Sequence, residues 1–313
     1  MTDDSPAAAR PAFPVLRRLW DLPTFLLVAT TAIWGLNSTV SRLAVGAVSP
    51  MALTFLRWIG AAIMLAPLIS GQIREAWPAV RARPWLPLGL GLVGFTGFNA
   101  LFYVAASMTE AVNLSIIQGA IPVFALAMNR VVHRERVSAT TAAGVAVTLA
   151  GVGLVACAGD PRRLLSLSFN GGDLLVLLAC VLFAAYTVGL KSRPAAPQLG
   201  YFYYLVLAAA FTAAPLAAGE AMRGHWLWPQ GATGWGVVIF TVVFVSIASQ
   251  VMFMRGVALA GPARAGVYVN LVPAFGAAFA VAILGEPFEA WRALALALVV
   301  AGIFVAERGK GRN

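Results

Sequence analysis

Charge is what this sequence has least of. Only 11% of its 313 residues are charged, and twelve of those are acidic, whereas a soluble globular domain carries about 25%. With 60% hydrophobic residues and a mean hydropathy of +0.84, no water-facing segment is long enough to form a core of its own. That excludes a soluble fold and makes the chain an integral membrane protein. Cysteine is almost absent. Cys157 and Cys180 lie in or beside apolar runs and read as small packing residues, so no disulfide framework, metal centre or redox site is expected. The two histidines, His133 and His225, fall in loops. The apolar runs hold no paired acids, no Ser/His arrangement and no metal ligands, so an intramembrane enzyme has nothing to work with and no cofactor is expected.

Acids are missing from the places where a cation pump needs them. Glu110 and Asp173 stand at the edges of apolar runs, and Glu135, Glu286 and Glu289 stand at loop ends. A proton-driven carrier of organic cations usually keeps an acid at depth, as counter-charge and proton carrier. The expected cargo is therefore neutral or zwitterionic. The formal charge of +10 does not point to nucleic acid either, because the basic residues are scattered over short loops.

What the chain has is long apolar runs, written twice. Pro122, Glu135 and Gly151 recur as Pro273, Glu286 and Gly302, each 151 positions later. Ten runs are long enough to cross a bilayer at about 1.5 Å per residue. The first five are Leu22 to Ala44, Pro50 to Ser70, Pro84 to Tyr103, Glu110 to Val131 and Ser138 to Ala158. The second five are Gly172 to Leu190, Leu199 to Ala218, Gly234 to Met254, Pro262 to Leu284 and Pro287 to Ala306. The first run is no signal peptide, since it exceeds an h-region and has a counterpart in the second half. The chain then divides into a tail (1–21), a first five-helix unit (22–158), a connecting loop (159–171), a second unit (172–306) and a tail (307–313). With a cytoplasmic N-terminus, fifteen of the 22 Lys and Arg residues fall in cytoplasmic segments, three fall outside and four lie in spans. The excess places both termini inside. Five spans per unit make the second unit enter from the opposite side, so the expected fold is all-α, ten transmembrane helices in two inverted five-helix repeats.

Polar residues inside the runs fall in stripes. Thr30, Trp34, Asn37, Ser38 and Ser41 share a face of the first helix, and Thr96, Asn99, Tyr103 and Ser107 a face of the third. Ser115 and Gln118 lie with Pro122, Ser246 and Ser249 with Gln250, and Gly266 and Asn270 with Pro273. Asn99 and Gln250 differ by 151. The amides have most hydrogen bonds to satisfy, and a wet central cavity is the cheapest place to satisfy them; the competing role for any one Ser or Thr is to join helices or bond its own backbone. The expected substrate-binding set is Trp34, Asn37, Asn99, Tyr103, Ser115, Gln118, Ser246, Gln250 and Asn270, with Pro122 and Pro273 as gating bends. Arg57 needs a partner at depth; Glu110 or Asp173, both at outer starts of spans, is the expected one, with Glu110 first, and holding a substrate carboxylate is the alternative. Arg264 and Arg292 are expected to snorkel. Glu135 and Glu286 read as acids at the starts of the fifth and tenth helices, and Tyr201, Tyr203 and Tyr204 as an interfacial belt.

The opening Trp34-Gly35-x-Asn37, Arg57 and the twin sets Pro122/Glu135/Gly151 and Pro273/Glu286/Gly302 together resemble the drug/metabolite transporter superfamily. The similarity is to its ten-helix EamA type, and within that to bacterial aromatic amino-acid exporters, over Leu22 to Ala306. The second half departs from the pattern, with Phe183-Ala184-x-Tyr186 at its opening and no arginine matching Arg57. The resemblance implies export of amino acids, aromatic ones in particular, across a bacterial inner membrane by alternating access. The partners are then a small-molecule substrate and the lipid bilayer, with the protein acting as a monomer or a homodimer. Efflux of other metabolites or drugs is the alternative within the same fold, and a non-transporting assembly protein the alternative outside it.

Overall fold

The computed structural model describes residues 18–132, 134, 138–156, 159–160, 170–260 and 268–310. All regular structure among them is helical. In chain order the helices are α1 (Pro23–Leu43), α2 (Pro50–Leu68), α3 (Ser70–Ala82), α4 (Trp85–Ala106), α5 (Ala111–Val132) and α6 (Ala139–Ala156), then α7 (Gly171–Ser192), α8 (Gln198–Met222), α9 (Gly231–Ala260), α10 (Val272–Leu284) and α11 (Ala290–Lys310). Six of these (α2, α4, α5, α7, α8 and α9) are long and apolar enough to cross a membrane, and α6, α10 and α11 hold shorter apolar stretches. Ile63, Phe211 and Ile239 are more than half exposed on the outside of the bundle, a surface that only lipid satisfies. The chain is a multi-pass membrane protein.

Proline at the first turn opens α1, α2 and α10, where a missing N–H costs nothing and the fixed φ suits a helix. The helix α3 falls in a segment that reads as a loop in sequence. Its Ala76 and Val80 are buried against α8 while Arg74, Arg81 and Arg83 face outward or half outward, so an amphipathic turn of helix is the way to satisfy both.

Irregularities in the helices repeat with the period of the sequence. The helix α5 breaks at Gly119 and Ala120, where the Ala120 N–H reaches back three residues to the Ile117 carbonyl; Asn270 and Leu271, 151 positions on, form the matching turn, with Leu271 bonded to Tyr268. Pro122 and Pro273 follow the two breaks, as the loss of a ladder donor predicts. The helices α4 and α9 each widen into a π stretch, Leu92–Gly97 and Thr241–Ala248, which overlap under the same offset.

Neighbour relations also survive an exchange of the halves. The helix α1 packs on α9 and α10 as α7 packs on α4 and α5, and α2 packs on α9 as α8 packs on α4. Three further pairs each join a helix to its own counterpart in the other half: α2 with α8, α5 with α10 and α6 with α11. Each pair is antiparallel. Ser49 before α2 bonds Glu220 late in α8, Ser115 and Gly119 of α5 meet Gly276 and Pro273 of α10, and Gly144 and Gly151 of α6 meet Ala306 and Ala295 of α11. The chain thus gathers Arg42, Ser49, Glu110, Asp173, Glu220 and Arg292 at one end of the bundle, called here the Arg42 end.

Several sequence expectations are corrected by this packing. Tyr201 is 1% exposed in the core between α2 and α8, not in an interfacial belt. Cys180 is buried, as a packing residue should be. Glu135, His133, Cys157, Arg264 and Gly266 lie outside the described residues.

Candidate functional site

A cavity of about 140 Å³ opens between the halves at the level of the paired breaks. The helix α1 contributes Trp34 and Asn37, α2 Arg57 and Trp58, and α4 the π-stretch residues Gly94 and Phe95 followed by Phe98 and Asn99. The broken segments contribute Gln118, Gly119 and Pro122 on one side and Asn270, Val272 and Pro273 on the other. Phe183, Val245, Gln250 and Ile303 complete the wall.

Local bonds decide which member of each stripe reaches the cavity. The Trp34 indole Nε1 donates to Ser249 Oγ at 2.8 Å, which fixes the ring, and the Gln118 amide donates to Ser38 Oγ at 3.1 Å. Thr30 bonds across to the Ser249 carbonyl and Ser41 back to the Asn37 carbonyl of its own helix, so within one stripe Trp34 and Asn37 face the cavity while the hydroxyls join helices or bond their own backbone. Thr96 similarly ties α4 to α8 through Ala209 and Thr212. Of the expected set, Trp34, Asn37, Asn99, Gln118, Gln250 and Asn270 line the cavity, together with Pro122 and Pro273. Tyr103, Ser115 and Ser246 do not. Ser115 bonds back to Ala111 and abuts Gly276, where α5, α1 and α10 meet. Tyr103 and Ser246 instead hold Arg57.

Arg57 is 6% exposed and surrounded by neutral groups. Its Nε donates to Ser246 Oγ at 2.7 Å, and its Nη1 donates to Asn99 Oδ1 and Tyr103 Oη, both at 2.7 Å. The guanidinium lies 4.7 Å from the centre of the Trp58 ring, a cation–π distance. Glu110, its expected partner, pairs with Arg292 at 2.5 Å. Arg292 accordingly does not snorkel; it is buried and also bonds the Pro287 carbonyl. The apolar half of the cavity is built from Trp34 together with rings that lie outside the polar stripes. Trp58 stacks on Phe95 at 4.6 Å, and Phe98 and Phe183 adjoin at 5.1 Å. The spacing of Phe95 one helical turn before Asn99 was the available signal.

The Arg42 end carries a second set of polar contacts. Glu286 accepts from the backbone N–H groups of Ala111 and Val112, both at 2.9 Å, and so caps α5 in the other half; the expectation that it serves its own helix is corrected. Glu220 caps α2 in the same manner, through Met51, Ala52 and the Ser49 hydroxyl. A carboxylate at a helix N-terminus meets unpaired donors and the positive end of the dipole. Thr109 donates to Asp173 at 2.6 Å and Arg42 to the Ala106 carbonyl at 2.6 Å, so the turn between α4 and α5 is held from α1, α7, α11 and the α10–α11 loop. Replacing Glu286 or Glu220 by alanine is expected to lower stability by about 1–2 kcal/mol each, with glutamine costing less. Thermal melting in detergent checks this, and an unchanged melt would mean that water serves the N–H groups as well as the carboxylate does.

Residues 22–157 and 170–307 each match the EamA-like transporter family. The chain belongs to that family. Relatives by sequence include the uncharacterized transporter YyaM of Bacillus subtilis, 26% identical with 90% of this chain and 92% of that one covered. An uncharacterized transporter of Archaeoglobus fulgidus is 26% identical, with 90% of this chain and 95% of that one covered. A solved crystal structure, at 20% identity, superposes with a TM-score of 0.60 over 91% of this chain and 96% of the other, so it has the same fold. This EamA protein is thus a membrane transporter and not an enzyme.

Proposed function

We propose that the protein exports small zwitterionic metabolites, aromatic amino acids in particular, across a bacterial inner membrane by alternating access. Its ten spans form two inverted five-helix units, 22–158 and 172–306, joined by 159–171, with both termini in the cytoplasm and the Arg42 end outside. The observation that carries the reading is the cavity at the paired breaks, where Asn37 Oδ1 and Asn270 Nδ2 are buried without hydrogen-bond partners among the described residues and Gln250 lines the same wall. Buried amides left unbonded by the protein are costly unless a ligand or water completes them. The aromatic wall of Trp34, Trp58, Phe95, Phe98 and Phe183 suits a flat apolar body. The breaks at Gly119 and Asn270 supply two soft points for rocking the units, and the exchange symmetry of the packing supports their inverted relation.

Proteoliposomes loaded with labelled phenylalanine, tyrosine or tryptophan are expected to show saturable flux. Asn37→Ala and Gln250→Ala are each expected to slow it about tenfold, the effect of one lost hydrogen bond of ~1.4 kcal/mol. Absence of flux for every amino acid, together with indifference to both substitutions, would overturn the assignment.

A further inference from the structure

Among the described residues, the cavity lining holds one positive charge and no negative one. All the hydrogen-bond partners of Arg57 are neutral, and its Nη2 makes no hydrogen bond among the described residues. The acids near the spans are engaged elsewhere: Glu110 with Arg292, Glu220 and Glu286 at helix starts, and Asp173 with Thr109. None of them lines the cavity. An arginine at membrane depth is costly, and one kept there without a protein counter-ion marks a binding site.

The unpaired atoms around it point the same way. Trp58 Nε1 and Asn270 Nδ2 are buried donors that lack acceptors among the described residues, and Arg57 Nη2 is a third donor on the same cavity. Asn37 Oδ1 is the one cavity-lining acceptor among the buried unpaired atoms. A wall rich in donors and carrying a single positive charge complements a group with two acceptor oxygens and a single negative charge. A phosphate monoester, near −2, would leave a negative excess at depth.

We infer that Arg57 anchors a carboxylate of the transported molecule, so that this carboxylate, more than the side chain it accompanies, is the feature every substrate shares. The inference rests on the transport reading of the cavity and adds the rule by which the cavity selects. Tyr103, Ser246 and Asn99 are positioning residues: they occupy Nε and Nη1 and leave Nη2 free. Asn37 Oδ1 accepts from an α-ammonium or hydroxyl where the substrate has one. The amide, ester or decarboxylated amine of the same body leaves the charge unmatched and is rejected.

Tryptophan fluorescence of the purified protein reports binding, because Trp34 and Trp58 line the cavity. The probes are L-phenylalanine, 3-phenylpropanoate, L-phenylalaninamide, phenylethylamine and chloride. The two carboxylates are expected to bind at least a hundredfold more tightly than the amide and the amine, the scale on which sites built around one polar group reject analogues that lack it. Arg57→Gln should bring the carboxylates down to the level of the amide, with Arg57→Lys in between. Tyr103→Phe should weaken carboxylates while leaving the amide as it was. If Arg57→Gln does not fold, the comparison of acid with amide in the parent decides. Equal binding of acid and amide overturns the inference but leaves the transport reading standing. A response to chloride as strong as to the carboxylates overturns it in favour of an inorganic anion site. If no probe binds and no solute moves in proteoliposomes, the transport reading falls and takes this inference with it.

Discussion

Valine at Gly302 is expected to cost about 3 kcal/mol or more and to leave little folded protein in detergent. A Cβ at this position would lie 2.4 Å from Thr148 Oγ1, 2.5 Å from Thr148 N and 2.7 Å from the Gly144 carbonyl, and one at Gly144 would lie 2.3 Å from Ala306 N. These are mostly backbone atoms, so no change of rotamer relieves the clash and α6 and α11 must separate along their length. The partner helix α6 supplies the control. Gly153 has nothing within 4 Å of a built Cβ, so Gly153→Ala should be neutral or gain about 0.5–1 kcal/mol from helix propensity. Fluorescence-detected size exclusion and thermal melting read both. Similar behaviour of the two variants would contradict the close packing of this pair.

Gly276→Val is expected to open the cavity toward the Arg42 end. A Cβ there would stand 2.1 Å from Ser115 Oγ and 2.5 Å from Ser115 Cβ, and across the same junction a Cβ at Gly35 would stand 2.7 Å from the Gly276 N. This three-helix contact of α1, α5 and α10 lies between the cavity and the Arg42 end, and closure there depends on the absence of side chains. Overpacking of about 1–3 kcal/mol on the closed arrangement shifts a two-state balance roughly 5- to 150-fold. With Cys157 and Cys180 replaced, a cysteine introduced at position 270 should react with an impermeant thiol reagent from outside intact cells faster by that factor. An unchanged rate would mean the seal lies elsewhere.

The doubled design is legible because it rests on residues whose effects are local. A proline removes its own donor, so Pro122 and Pro273 foretell the breaks at Gly119 and Asn270 without knowledge of any neighbour. Gly151 and Gly302 foretell close packing, since a missing side chain is the same fact in every context. The π stretches in α4 and α9 left no comparable mark. Partner choice was the least legible layer. Arg57 was matched to Glu110 by depth alone, yet the rotation of α11 brings Arg292 to that acid, and Glu286 reaches the start of α5 across 175 positions. Charge and hydrogen bonding between helices depend on which faces meet, and one helix's periodicity does not specify its neighbour's. The stripe of α1 shows the same limit: spacing grouped five residues, and contacts with α5 and α9 decided that two face the cavity.

Packing across the halves also sets a schedule for assembly. The helix α1 finds its partners in α9 and α10, which leave the ribosome roughly two hundred residues later, a wait on the order of ten seconds or more at about 5–20 residues per second. For that interval Thr30 and Trp34 sit in the bilayer without Ser249, and Arg57 without Ser246. The first half therefore enters the membrane with its bonds to the second half unmade, and its polar face closes only as the second half arrives.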